Sequence, residues 1–249
     1  MKPLIWLVSL AAVGLALTIG LAGPGVRFGW WEYPTGLSIL REAALPTLIA
    51  AVVSFGGFVL ALFKARGLAP IALIAAVFAG LAASAPVRMN QLVAANPVIH
   101  DITTDFTDPP QIVAGALYER ANPPEYNADE ETPRSDLPLA AAQRQAFPDI
   151  VPMTMRMSVE EAASQSRRII SSMGMKVLKD EATEDGWRIE ATDTTLWFGF
   201  VDDFVVRIRA ESDGARIDLR SKSRVGKSDL GENARRIRKF IKKMEAASA

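Results

Sequence analysis

Cysteine is absent from the 249 residues, and histidine occurs once, at position 100. Without thiols there is no disulfide framework, no thiolate chemistry and no cysteine-based zinc site, and redox usage says nothing about the compartment. A single imidazole leaves a nucleophile and base only one place to meet, and no G-x-S-x-G turn presents a serine. The longest apolar runs also lack Asp, Glu, Lys, Arg and His in their middles. That absence speaks against a proton relay or an ion pathway through them.

The apolar runs are Pro3 to Gly23, Ala43 to Phe63 and Leu68 to Val87. Each has the roughly 20 residues needed to cross a hydrocarbon core about 30 Å thick. The reading is three spanning helices in residues 1–88. A cleaved signal peptide is the competing reading of the first run, because Lys2 precedes it and Gly20-Leu21-Ala22 offers small residues for cleavage. Lys2, Lys64 and Arg66 fall on one side of the bilayer, and Arg27, Arg41 and Arg88 on the other, an even count. Glu32 and Glu42 dilute the second set and Lys64-Ala65-Arg66 concentrates the first, so the N-terminus is expected in the cytoplasm and the C-terminal half outside it. In a bacterial cell this means a multi-pass inner-membrane protein with a periplasmic domain. Phe28, Trp30, Trp31 and Tyr33 suit a headgroup-level anchor, and Ala12, Ala16, Gly20 and Ala76, Gly80, Ser84 suit close helix packing.

The formal charge is balanced, but it is segregated along the chain: net +4 over residues 1–88, −11 over 89–206 and +7 over 207–249. Residues 89–150 are proline-rich and read as a connecting region, with short helices at Gln111 to Arg120 and Pro138 to Phe147. Within it, NPVIHDITTDFTDPP gathers His100, Asp101, Asp105 and Asp108. These are weak candidates for a hard-cation site, since their spacing fits no EF-hand loop and Asp before Thr or Pro commonly closes a local turn.

Residues 151–249 read as an α+β domain. Ser158 with Glu161 forms a capping box for a helix ending at Gly174. Alternating residues predict strands at Val151 to Met157, Met175 to Lys179, Trp187 to Thr192, Phe204 to Ala210 and Arg216 to Lys222, with a hairpin at Asp213-Gly214 and with Thr195 to Phe200 as a candidate for one more strand. Asp229 and Glu232 then cap a last helix whose Leu230, Ala234, Ile237, Ile241 and Met244 repeat at helical spacing. The expected fold is a small antiparallel sheet in β-α-β-β-β-β-α order, with two helices on one face and the other face wet. Trp197, Phe198 and Phe200 are expected in its core.

Four blocks, HDITTDFTDPPQ, QRQAFPDIVPM, EATDTTLWFGFVDD and RIDLRSKSRVGKSDLGENARRIRKF, resemble in order the motif blocks of the bacterial and plastid family called domain of unknown function 1499 (DUF1499). The resemblance covers roughly Asn96 to Phe240 and departs at Phe147, where the family pattern has tyrosine. It implies a membrane-attached or exported domain and supplies no activity, cofactor or catalytic residue.

The candidate site is the polar elbow between the last strand and the last helix: Arg220, Ser223, Arg224, Ser228, Asp229, Asn233 and Arg236. Two arginines beside a helix start suit an anionic headgroup or a carboxylate. The structural alternative has Asp229 capping the helix, Asn233 and Ser223 tying the loop, and Arg220 or Arg224 pairing with Asp193, Asp202 or Asp203. Arg235, Arg238, Lys239, Lys242 and Lys243 form a basic helix face, either plain solvated surface or a contact for anionic lipid. Nucleic acid is not expected, for want of an interleaved aromatic stacking set. The preferred function is a non-enzymatic envelope module that binds lipid or an envelope protein, without a cofactor. An envelope-acting hydrolase and a small sensor or transporter accessory subunit are the alternatives.

Overall fold

The structure is a computed structural model that describes residues 1–248. The chain divides into two compact units: residues 1–91 with 196–199, and residues 92–195 with 200–249.

The first unit holds α1 (Lys2–Arg27), α2 (Tyr33–Lys64) and most of α3 (Ala69–Ala95). All three are long and apolar enough to cross a membrane. The 26 residues of α1 alone span about 39 Å at 1.5 Å per residue. Helix α2 begins ten residues before the apolar run, because Pro34 sits in its first turn, where a missing N–H does no harm. The helices meet through alanine: Ala12, Ala16, Ala51, Ala75 and Ala79 form one buried cluster, and Ile5, Ala61, Ala65, Ala69 and Ala72 another. On α3 the packed face is Ala72, Ala75, Ala79 and Ala83. The expected Gly80 and Ser84 lie one position off that face, and Gly20 is exposed.

Phe28 and Trp30 point outward from the α1–α2 turn. Trp31 folds back instead, its indole donating to the Ala22 carbonyl at 3.1 Å and lying where any side chain at Gly25 would clash. The connection Leu196–Gly199 also belongs to this unit. Trp197 donates to the Gly20 carbonyl at 3.2 Å and packs against Gly23. The placement of Trp197 and Phe198 in the core of the α+β domain is therefore corrected, and so is the strand at Thr195 to Phe200. Those residues form a turn because Thr195 and Phe200 close on each other, the Thr195 N–H donating to the Phe200 carbonyl at 2.8 Å.

The second unit contains β1 (Asp101–Thr103), α4 (Leu139–Ala146), β2 (Met153–Met155), α5 (Val159–Ser172), β3 (Lys176–Thr183), β4 (Gly186–Thr194), β5 (Val201–Glu211), β6 (Gly214–Ser223) and α6 (Glu232–Ser248). The α+β class holds. The sheet runs β1-β6-β5-β4-β3, all antiparallel, and β2 pairs with the other half of the β6 edge, so β1 and β2 share one neighbour. Gly214, at φ +137°, turns the β5–β6 hairpin.

Alternation sends Ile189, Ala191, Phe204, Val206, Ile208, Ile217 and Leu219 to one face. There they pack with Ala162, Ile169 and Ile170 of α5 and with Ala234, Ile237, Phe240 and Met244 of α6. The Phe204 and Phe240 rings are 5.5 Å apart. Ser158 and Glu161 make the expected reciprocal cap, at 3.1 and 2.9 Å. Of the two short helices expected in the connecting region, the second is α4. The first is reduced to one tight turn, Gly115–Leu117. β1, in the stretch read as a loop of aspartates, is a strand the periodicity does not mark, since three residues carry too little alternation to register.

Candidate functional site

The same alternation that buries the apolar side chains sends Arg188, Glu190, Asp203, Arg207, Arg209, Arg216, Asp218, Arg220 and Lys222 to the opposite face. That face is covered along the β1 end of β6 and stays partly exposed at Arg188, Arg207, Arg209 and Arg216, so the expectation of a wet face holds for only part of it. Asp218 is fully buried, and Arg220 and Lys222 are each 1% exposed. Residues of the 104–126 stretch lie over it, and the charges are met by charges and carbonyls of that cover.

Asp101 is the centre of one knot. Arg220 forks onto it at 2.9 and 2.7 Å, and the Lys222 ammonium adds a third contact at 2.9 Å. Arg220 also donates to the carbonyls of Pro110 at 3.2 Å and Pro124 at 2.9 Å, and Lys222 to that of Glu125 at 2.8 Å. Burial alone would raise the Asp101 pKa, but Arg220 and Lys222 hold it below the usual carboxylate range. Burial also lowers the Lys222 pKa.

A second knot joins Asp203 to Arg224, which reaches the two carboxylate oxygens at 2.7 and 3.2 Å, and to Arg120 at 3.0 Å. The Tyr118 ring covers Arg224, 4.6 Å from its Cζ. A third gathers Arg207, Arg209 and Arg216 around Asp105, Asp108 and Asp218 at 2.9 to 3.6 Å. Glu190, 1% exposed, accepts the backbone N–H groups of Val113 and Gly115 at 3.0 and 3.1 Å. That pins the cover to β4.

The elbow residues are divided between the two faces. Arg220 and Arg224 serve the cover. Ser223, Asn233 and Arg236 lie on the helix side, where Asn233 donates to Ser223 Oγ and to the His100 carbonyl, both at 3.1 Å. Arg236 reaches Asp193 at 2.9 Å and Asp202 at 2.7 Å. Asp229 accepts from the amides of Gly231 at 2.8 Å and Asn233 at 2.9 Å, ahead of α6, and burial of its carboxyl pushes the pKa up to about 6. Ser228 stands apart and accepts only from the Leu230 amide, at 3.3 Å.

His100, Asp101, Asp105 and Asp108 do not converge. Among the described residues no group of three His, Asp or Glu side chains is arranged to hold a metal ion. Guanidinium and ammonium groups already occupy the three carboxylates.

Sequence reasoning missed Arg120 and Glu190 as fasteners of the cover. The available signal was the charge segregation, because the acidic stretch and the basic end of the chain pair with each other in the fold. The basic face of α6 is as anticipated. A groove of about 380 Å³ runs beside it, lined by Met173, Asp193, Glu232, Arg235, Arg236, Arg238, Lys239 and Lys242. Arg238 is bound by Asp149, with two contacts at 2.6 Å, and Arg235 by Glu232. Lys239, Lys242 and Lys243 have no carboxylate within 4.0 Å among the described residues.

A family model described as a protein of unknown function (DUF1499) matches residues 101–244. No curated protein and no solved structure matches the chain.

Proposed function

Because the chain belongs to the DUF1499 family, and because three of its helices are fit to span a membrane, we propose that it is a membrane-anchored, non-catalytic module whose working surface is the basic groove of α6. The ligand is the headgroup layer of anionic phospholipid. In a bacterial cell the bilayer is the inner membrane and the module faces the periplasm.

The observation that carries this reading is that Lys239, Lys242 and Lys243 have no carboxylate partner among the described residues, while Arg220, Arg224, Arg236 and Arg238 are bound internally. Exposed lysines near an anionic surface contribute about 1 kcal/mol each. Proximity supports lipid as the ligand. Asn96, the residue after the end of α3, abuts Gly231 just ahead of α6, so few residues of chain separate the last apolar helix from the domain that carries the groove. The elbow supports the groove from behind: Arg236 lines it while clamped by Asp193 and Asp202.

The test is native mass spectrometry of the full chain released from detergent, counting retained anionic and zwitterionic phospholipids. Wild type retains anionic lipid. Changing Lys239, Lys242 and Lys243 together to Gln lowers that retention at least about tenfold with zwitterionic lipid unchanged. Equal retention by the variant refutes the groove as the lipid contact.

A further inference from the structure

The chain's one histidine is 4% exposed, yet no hydrogen bond to either ring nitrogen exists among the described residues. Its closest charged neighbour is Glu130, 3.9 Å from Nδ1. The imidazole lines a cavity of about 160 Å³ within the second unit, distinct from the α6 groove. Ile99 and Leu139, each 1% exposed, supply apolar floor, and Glu130, Glu131 and Lys227 stand at its edge. Neither Glu131 nor Lys227 forms an ion pair among the described residues, while Glu130 has the His100 ring at 3.9 Å and lies near enough to Lys222 to favour its charged form.

The walls are set in advance. Glu131 bridges to Pro138, the Leu139 amide donates to the Glu130 carbonyl at 2.9 Å, and the Thr132 hydroxyl donates to the Leu137 carbonyl at 2.7 Å. The two carboxylates therefore sit on a loop that binding need not order. Beneath, Lys222 is already held by Asp101 and the Glu125 carbonyl.

We propose that this cavity binds a small zwitterion, a molecule with one ammonium and one carboxylate in about five to seven heavy atoms, of which glycine and alanine are the simplest. A cavity of about 160 Å³ has room for a molecule of that size. Glu130 and Glu131 receive the ammonium and Lys227 the carboxylate, each through charge-assisted hydrogen bonds. The imidazole, kept neutral by burial although Glu130 opposes that effect, offers a donor on one nitrogen and an acceptor on the other. A simple anion would meet two like charges at the edge, and a simple cation would leave Lys227 unmatched.

A sole histidine gives a single reporter. The full chain is labelled at histidine ¹³Cε1, held in detergent micelles, and titrated with glycine, L-alanine, acetate and methylammonium. The expected result is saturable movement of the His100 signal with glycine or alanine, and binding of acetate and methylammonium at least about tenfold weaker. Glu130→Gln and Lys227→Gln lie at the edge and leave the core intact; each weakens glycine binding about tenfold. An unmoved signal, half-ligands that bind as well as glycine, or variants that bind like wild type overturns the proposal.

Discussion

Asp101 ties the cover to the sheet through two cations. Fully buried, it neutralises Arg220 and Lys222 together, and these in turn hold three carbonyls of the cover. Removing one partner of a buried ion pair costs about 3–5 kcal/mol because the remaining charge stays desolvated. Asp101→Asn leaves two cations in that position, so the full chain in micelles is expected to lose stability of that order in denaturant unfolding. The pH dependence follows from the depressed Asp101 pKa. Its stabilising contribution is complete above the unfolded-state value and declines as pH falls toward the lower folded-state value, so the gap between wild type and variant narrows in acid below about pH 4. A variant as stable as wild type at neutral pH removes Asp101 from this role. None of this was visible in the aspartate-rich stretch itself, where Asp101 resembles Asp105 and Asp108 until β1 pairs with β6 and sets it opposite Lys222.

Among the elements, the cover has the least regular structure and the most polar attachments. Its only helical turn among the described residues is Gly115–Leu117. Glu190 holds it at one point by taking two backbone N–H groups, and Asp203 at another through Arg120. Glu190→Gln removes the charge and one acceptor, which is worth about 1–2 kcal/mol at a buried amide. Hydrogen exchange of the peptide spanning residues 111–118 is therefore expected to quicken about tenfold, with α5 and β4 unchanged; unchanged exchange in that peptide rules Glu190 out as a fastener. The strands and the two long helices were legible because alternation and capping are local signals. The cover was not, because proline and scattered charge describe a free tether and a pinned lid equally well. Its role depends on partners roughly 80–120 residues away in sequence.

At the scale of the whole molecule, the question is on which side of the bilayer the second unit operates. The lysine and arginine count is even across the spans, but Lys64-Ala65-Arg66 is the denser cluster and favours the cytoplasm. Protease added to intact bacterial spheroplasts is therefore expected to cleave the second unit without lysis. Protection until the membrane is opened would reverse the topology and place the α6 groove against the cytoplasmic leaflet. The lipid proposal and the cavity proposal separate cleanly here, since the first requires a bilayer beside α6 and the second only a folded second unit.

Sequence by itself determined the three long apolar helices, the antiparallel strands β4 to β6, the capped helix α5, the body of α6 and the family, because each rests on periodicity, capping chemistry or motif order within one short stretch; α6 starts at Glu232, after Leu230 at φ +58°, and not at the expected cap. Only the tertiary structure decided that much of the second face of the sheet is covered, that Arg220 and Arg224 of the elbow are spent on Asp101 and Asp203, and that His100 opens onto a cavity. Those outcomes depend on which distant charges meet out of water, and a linear pattern of charges does not specify its pairings.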